Sequence, residues 1–260
     1  MSVQYRSPLF LACSGMGRRA PLTCVPLVGK SIAAVQEEID YLGGRRPELF
    51  EVRMDAWDYA ATVADLMAMM VAVREKTRGT ELILTCRHPR EGGLRAVPEQ
   101  TRKQVYAEVA QKGLAEFVDL ELSSGPAIDA VREALRGTAT KLVLSAHDFD
   151  KTPSREAMRA VLEAEVAAGA DVVKLAVMPA REEDVLALLE TSLAFRRAHP
   201  EIPQIAIAMG TLGMPSRLLG GSFGSDLTFA AGAHSSAPGQ IPLAALQDCF
   251  GALYGTSTVA

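Results

Sequence analysis

A single-domain (β/α)8 barrel is the fold this sequence predicts, and three observations point to it. From about residue 23 onward, strand-like and helix-like stretches alternate with few interruptions. They divide into eight units of about 30 residues, the size of a βα repeat. Polar and charged side chains collect at the C-terminal ends of successive strands, where barrels of this class carry their active sites. The competing architecture, a doubly wound open sheet, would favour a glycine-rich fingerprint after the first strand, and Pro26-Leu27-Val28-Gly29-Lys30 has none.

Residues 1–22, including Gly15-Met16-Gly17-Arg18-Arg19, read as a leader for which a flap across the barrel bottom is expected, and residues 23–260 form the barrel. The first strand spans Thr23–Val28 and its helix Ser31–Tyr41. Leu49–Arg53 precedes a helix over Thr62–Thr77, Leu82–Arg87 one over Glu99–Lys112, and Phe117–Glu121 one over Ala127–Arg136. Lys141–His147 leads to Arg155–Ala168, and Val172–Val177 to Glu182–His199. Gln204–Met209 is followed by a short helical turn at Ser216–Leu219, and a weaker strand, Leu227–Phe229, by a closing helix over Ile241–Tyr254. The strands are short apolar runs, as a parallel sheet buried on both faces requires. In the helices apolar residues recur every three or four positions, as at Ala160, Val161, Ala164, Ala167 and Ala168. Ser31, Thr62 and Ser154 stand where N-caps belong, and Gly113, Gly137 and Gly169 where helices end.

Composition narrows the function. The 260 residues are 48% apolar, enough for a substantial core, and no Ser/Gly-rich linker divides them. A formal net charge of −4 with no block of Lys or Arg argues against nucleic acid or an anionic membrane as partner, while a few arginines suffice for a small anionic substrate. Every apolar run is far shorter than the ~20 residues a membrane helix needs. Pro8-Leu9-Phe10-Leu11-Ala12-Cys13 is short for a signal-peptide core, so a cytoplasmic location is expected. Cys13, Cys24, Cys86 and Cys249 lack C-x-x-C spacing and read as free thiols, not as a zinc site or disulfide framework.

The chemistry sits at the strand ends. Val172-Val173-Lys174-Leu175-Ala176-Val177 is an apolar strand with one lysine in its middle, and lysine is seldom buried because its ammonium loses hydration. A buried lysine in its neutral form is a nucleophile that makes a Schiff base with a ketone and thereby acidifies the adjacent C–H. The bland alternative is a lysine that snorkels out or pairs with a carboxylate. Ser145-Ala146-His147-Asp148-Phe149 ends the preceding strand and places His147 beside Lys174, where histidine suits proton transfer. A period of two puts Glu51 with Arg53, and Asp119 with Glu121, on common strand faces. Arg87 ends the third strand with Glu91-Gly92-Gly93 in its loop, and Met209-Gly210 ends the seventh with Ser216-Arg217 beyond. Arg53, Arg87 and Arg217 converge from different strands and suit a carboxylate. The acids are expected to hold the arginines, the histidine and substrate hydroxyls and to leave the amine alone, since a carboxylate on the amine would oppose the pKa depression its attack needs. His88, His199 and His234 are assigned no role.

Taken in order, Glu51-Val52-Arg53-Met54-Asp55, Arg87 with Glu91-Gly92-Gly93, Asp119-Leu120-Glu121, Ser145 to Phe149, Lys174-Leu175-Ala176-Val177-Met178-Pro179, Met209-Gly210 with Ser216-Arg217, Phe223-Gly224-Ser225 and Ser236-Ala237-Pro238-Gly239-Gln240 follow one known motif order. From about Thr23 onward the sequence closely resembles the type I 3-dehydroquinate dehydratases. That resemblance implies a (β/α)8 barrel, commonly a homodimer, that dehydrates 3-dehydroquinate to 3-dehydroshikimate in the shikimate pathway without metal or added cofactor. It implies that Lys174 forms the imine, that His147 is the general acid/base and that Glu91 completes the catalytic set. Arg217, Ser236 and Gln240 would hold the substrate carboxylate and its surroundings, and Glu51, Arg53 and Arg87 the ring hydroxyls. Met209 and Phe229 would be apolar walls, with Asp119 and Glu121 in support. Residues 232–240, small and flexible in composition, make a candidate lid. The leader matches the family poorly, and Cys86 and Pro215 are local variation.

Other classes fit parts of the pattern. A divalent-metal-dependent enolising barrel would use Asp119, Glu121 and His147 as ligands with Lys174 as base. Another Schiff-base lyase, such as a class I aldolase, would share Lys174 but not the whole motif series. A binding protein on the same scaffold is opposed by the intact Lys174 and His147.

Overall fold

Eight parallel strands alternate with helices through residues 20–57 and 62–255, which together with residues 7–9 are the part of the chain that the computed structural model describes. The strands are β1 (Leu22–Leu27), β2 (Leu49–Arg53), β3 (Glu81–Thr85), β4 (Phe117–Glu121), β5 (Lys141–Asp148), β6 (Val172–Val177), β7 (Gln204–Ala208) and β8 (Leu227–Phe229). The helices are α1 (Ile32–Tyr41), α2 (Val63–Lys76), α3 (Glu99–Gln111), α4 (Ala127–Leu135), α5 (Arg155–Ala167), α6 (Glu182–Ala198), α7 (Met214–Leu219) and α8 (Leu243–Tyr254). The strands pair in the order β7-β6-β5-β4-β3-β2-β1-β8, each with its sequence neighbour except where β1 meets β8. This order arises because each helix returns the chain to the next parallel position.

The barrel closes between β7 and β8 largely through side chains. Asp226 N donates to Gln204 O and Gln204 N to Asp226 Oδ2, both at 2.8 Å. Higher up, Ala206 N donates to Ser225 Oγ at 3.0 Å and Ala208 N to Ser216 Oγ at 2.9 Å. Strand β8 is only three residues long, so the serines satisfy β7 donors that its ladder does not reach.

Alternation divides the apolar residues into two kinds of core. Outward residues such as Val52, Leu84, Val118 and Leu144 pack under the helices, while Cys24, Leu49, Ile83, Phe117, Val143, Val172, Ile205 and Leu227 fill the barrel interior. Most of the leader lies outside the described residues, as does Cys13. Within it, Leu9 is fully buried in that interior cluster and Ser7 Oγ donates to Glu81 Oε2 at 2.8 Å.

Local chemistry accounts for the ends of the elements. Ser31, Thr62 and Ser154 cap their helices by accepting from the backbone N–H three residues on. Gly113, Gly137 and Gly169 take positive φ just beyond helices. The 3₁₀ turns Met54–Ala56, Pro89–Glu91 and Leu122–Ser124 directly follow, or lie close behind, the ends of β2, β3 and β4. Such turns are too short for periodicity to announce. Strand β3 stops at Thr85, two residues earlier than the sequence suggests, because the Cys86 N–H turns to Tyr106 Oη at 2.9 Å, and that hydroxyl donates on to Asp119 O at 2.7 Å. Tyr106, fully buried on α3, thus ties the end of β3 to β4. Replacing Tyr106 with Phe is expected to lower unfolding stability by about 1–3 kcal/mol, seen as a lower urea midpoint with an unchanged slope.

Candidate active site

The inward faces change character along the barrel axis. Above the apolar filling, strands β2 to β6 present Glu51, Arg53, Thr85, Asp119, Glu121, Ser145, His147 and Lys174, all but His147 buried, with Arg87 just past β3. Ala176, Ile207 and Phe229 from β6, β7 and β8, with Met209 just past β7, make an apolar wall opposite. The cleft between them is lined by charged groups on one side and apolar ones on the other.

Lys174 lies at its floor, 5% exposed. Its Nζ is 2.8 Å from Asp119 Oδ2 and 3.5 Å from Glu51 Oε1, and it stands 4.5 Å from the centroid of the Phe229 ring. This corrects the expectation that the acids leave the amine alone. Asp119 serves Lys174 and Arg87 together, its Oδ1 accepting from Arg87 Nη2 at 2.8 Å and from Ser145 Oγ at 2.7 Å. The reason is burial: desolvation raises the cost of every charge here, and a carboxylate between two cations is the arrangement that offsets it. Burial alone would raise the Asp119 pKa, but Arg87 and Lys174 outweigh it and hold the group well below the usual carboxylate range. Glu51 also accepts from Thr85 Oγ1 at 2.9 Å.

The other acids hold arginines. Asp55 grips Arg53 through Nε at 2.9 Å and Nη2 at 2.7 Å, and accepts the backbone N–H groups of Arg87 and Leu94 at 3.1 and 2.9 Å. It so pins the β3 loop to the end of β2. Glu121 takes Arg87 Nη1 at 3.2 Å and Arg102 Nη1 at 2.7 Å.

His147 ends β5 on the cleft. Burial, with Arg87 and Lys174 nearby, pushes its pKa well below the ordinary imidazole value, so the ring is neutral at pH 7. Its Nδ1 lies 3.0 Å from Glu91 Oε2. A carboxylate only accepts, so Nδ1 carries the proton and Nε2 keeps its lone pair. Phe149 stacks near the ring, with centroids 6.3 Å apart. Gly92 takes φ +82°, and a Cβ there would come within 2.5 Å of Phe149; one on Gly93 would lie 2.0 Å from Arg87 O. The loop that returns Glu91 to the site therefore needs both glycines.

Arg217 differs from the other buried cations. Its guanidinium, 1% exposed, donates to Phe229 O at 3.2 Å and Pro238 O at 3.1 Å, and Nε has no partner among the described residues. With no carboxylate beside it, burial lowers its pKa to about 10, and it stays cationic at neutral pH. Above it, Ser236 N donates to Gln240 Oε1 at 2.8 Å and Gln240 Nε2 to Ser236 Oγ at 3.1 Å. Gly239, at φ +76°, rests so closely on Gly210 that a Cβ would lie 2.1 Å from Gly210 O.

Lys174, His147, Glu91, Glu51, Arg53, Arg87, Arg217, Ser236, Gln240, Met209 and Phe229 all line this one cleft, and Asp119 and Glu121 lie beneath it. Sequence reasoning assigned no role to Phe149, Ala176 or Ile207 in the lining, nor to Asp55 or Ser145 below it. Asp55 and Ser145 stood in quoted motifs, and the period of two marks Ser145 as inward with His147. The ligand set of a metal-dependent enolising enzyme is not assembled: among the described residues no three His, Cys, Asp or Glu groups converge as metal ligands. Asp119 and Glu121 face guanidinium and ammonium groups instead.

The family model for type I 3-dehydroquinase matches residues 23–257. The chain belongs to the type I 3-dehydroquinases. It is accordingly an enzyme of the hydro-lyase class. The 3-dehydroquinate dehydratase of Aromatoleum aromaticum is 41% identical over 229 residues, covering 87% of this chain and 88% of that one. The Shouchella clausii enzyme of the same name is 40% identical over 231 residues, covering 88% and 90%. Among solved structures, the 3-dehydroquinate dehydratase of Geobacillus kaustophilus superposes with a TM-score of 0.87 at 35% identity, over 91% of this chain and 92% of that one. The type I enzyme of Clostridium difficile, carrying covalently modified comenic acid, gives 0.85 at 32% identity, over 92% and 94%. No described helix of this dehydroquinase is long and apolar enough to cross a membrane.

Removing the Asp119 charge, as in Asp119→Asn, leaves two buried cations short of an anion and is expected to cost about 3–5 kcal/mol of stability. The folded-state pKa lies below the unfolded value of about 3.9, so this contribution is complete above that pH and fades as pH falls below it. The stability gap between wild type and variant, measured by denaturant titration, should narrow on acidification.

Proposed function

We propose that this enzyme dehydrates 3-dehydroquinate to 3-dehydroshikimate and water through an imine on Lys174, with His147 as the general acid/base. The observation that carries this reading is that Lys174, a neutral His147 and the acid-free Arg217 open onto one cleft. Arg217, already desolvated and without an anion, is the seat for the substrate carboxylate, with Ser236 and Gln240 around it. That anchor directs the ketone down toward Lys174 and the ring hydroxyls toward Glu51, Arg53 and Arg87.

Attack requires the amine to lose a proton. Asp119 at 2.8 Å and Glu51 at 3.5 Å hold the ammonium in place until then. The neutral amine adds to the C3 carbonyl. Departure of that oxygen as water, with His147 Nε2 moving the protons, leaves the protonated imine. The imine acidifies the C2–H bond: His147 Nε2 takes the C2 proton, the electron pair shifts to form the C1–C2 double bond, and the C1 hydroxyl leaves as water with the proton that His147 gives back. Hydrolysis returns Lys174, so the balance is one substrate to one product and one water. Glu91 at Nδ1 keeps the ring in the tautomer that accepts at Nε2 and stabilises the imidazolium formed on the way.

Family membership supports a role in the shikimate pathway, as a cytoplasmic homodimer that works without added cofactor. Light scattering tests the dimer. The 232–240 loop, with Ser236 and Gln240 over the cleft, is the part expected to close on substrate.

Borohydride reduction in the presence of 3-dehydroquinate should yield a covalent mass increase on the Lys174 peptide. Turnover without any trapped adduct would overturn the imine. Lys174→Ala should lower kcat by at least about 10³-fold, and His147→Ala by about 10²–10⁴-fold. Arg217→Ala should instead act mainly on KM.

A further inference from the structure

The two serines that follow β4 serve different partners. Ser124 Oγ donates to Glu121 Oε2 at 3.3 Å and accepts from Arg102 Nη2 at 3.1 Å. Ser123 Oγ instead donates to Glu91 Oε1 at 2.6 Å. The other oxygen of that carboxylate lies 3.0 Å from His147 Nδ1 and accepts the His147 backbone N–H at 3.2 Å. One carboxylate thus joins the turns after β3 and β4 to the end of β5.

We propose that Ser123 is a positioning residue for the acid–base pair: by donating to Oε1 it fixes Glu91 as a pure acceptor whose Oε2 faces His147 Nδ1. This rests on the Lys174–His147 reading given above. The physical need for such a residue comes from what surrounds Glu91. Burial is the largest influence and favours the protonated carboxyl, and Glu121 on β4 pushes the same way. Ser123, Arg87 from the end of β3 and the His147 backbone N–H on β5 act in the opposite sense. A protonated Glu91 has an O–H to donate, and an Nδ1 that accepts it shifts the ring proton to Nε2, the wrong tautomer for taking a proton from substrate. Arg87 is already engaged by Asp119, Glu121 and Ser145. Ser123 is exposed, so its hydroxyl is reachable by substitution without disturbing the core.

The sign of the effect follows. Activity needs ionised Glu91 and is lost as pH falls through the apparent pKa of the Glu91–His147 pair. Without the Ser123 O–H that value rises. The loss of a hydrogen bond to a charged group, partly replaced by water at an exposed position, corresponds to about one pH unit.

The test is the pH dependence of kcat for the full-length wild type, Ser123→Ala and Ser123→Thr, with the Lys174 adduct trapped in each. Ser123→Ala should move the acid limb up by about one pH unit. On that limb its kcat should fall several-fold below wild type, while at pH 8 it stays within about twofold, with KM little changed. Ser123→Thr, which keeps the hydroxyl, should restore the wild-type limb. Superimposed profiles for wild type and Ser123→Ala would overturn the proposal. So would an equal, pH-independent loss in both variants, which marks a loop that is merely disturbed. A wild type that turns over 3-dehydroquinate and traps the adduct while the profiles coincide sinks the Ser123 role alone. A wild type with neither turnover nor adduct sinks the underlying reading with it.

Discussion

The carboxylate of Asp119, held between Lys174 and Arg87 inside the barrel, is the interaction on which the rest of the site depends. An ammonium and a guanidinium cannot be buried side by side in an apolar barrel without an anion between them. Asp119 supplies it, Ser145 donates to the same oxygen as Arg87, and Tyr106 ties the Asp119 carbonyl to the end of β3. Arg87 is then fixed by Glu121, which is shared with Arg102 on α3. The charges form one connected network from β2 to β6, so each functional side chain is positioned by partners on neighbouring strands as well as by its own backbone.

Against that network Arg217 stands apart. Among the described buried cations it alone has no carboxylate partner. Leaving a guanidinium desolvated with only carbonyl oxygens around it is a standing destabilisation that a ligand anion would relieve. The two ends of the cleft thus differ in electrostatic state: paired at the lysine, unpaired at the arginine. That asymmetry suits the anchoring role proposed for Arg217. His147 ends the strand beside that of Lys174, and burial beside Arg87 and Lys174 keeps it neutral. The apolar wall of Met209, Ile207 and Phe229 completes the cleft.

Much of this was legible in the chain. Period-two alternation set Glu51 with Arg53, Asp119 with Glu121 and Ser145 with His147 on inward faces, and the βα repeat length set the barrel. Lysine in the middle of an apolar strand was a signal because burial makes charge costly. Less legible were residues acting through turns and loops. The 3₁₀ segments carrying Asp55, Glu91 and Ser123 are too short to show a period. Glu91 came from the motif series rather than from any physical reading, and Ser123 from neither. The expectation that the acids would avoid the amine failed at Asp119 because spacing along β4 does not reveal which cations on β3 and β6 share it.

What the sequence determined by itself is the set of inward-facing groups, since side-chain direction in a strand depends only on local backbone geometry. Caps and turns at Ser31, Thr62, Ser154 and Gly169 belong to the same local class. What only the tertiary structure decided is pairing: that Asp119 bridges Lys174 and Arg87, that Glu91 reaches His147, that Ser216 and Ser225 close the β7–β8 seam, and that Arg217 is left without an acid. Pairing depends on distances across strands brought together by closure of the barrel, and those distances are not encoded in the spacing of any one strand.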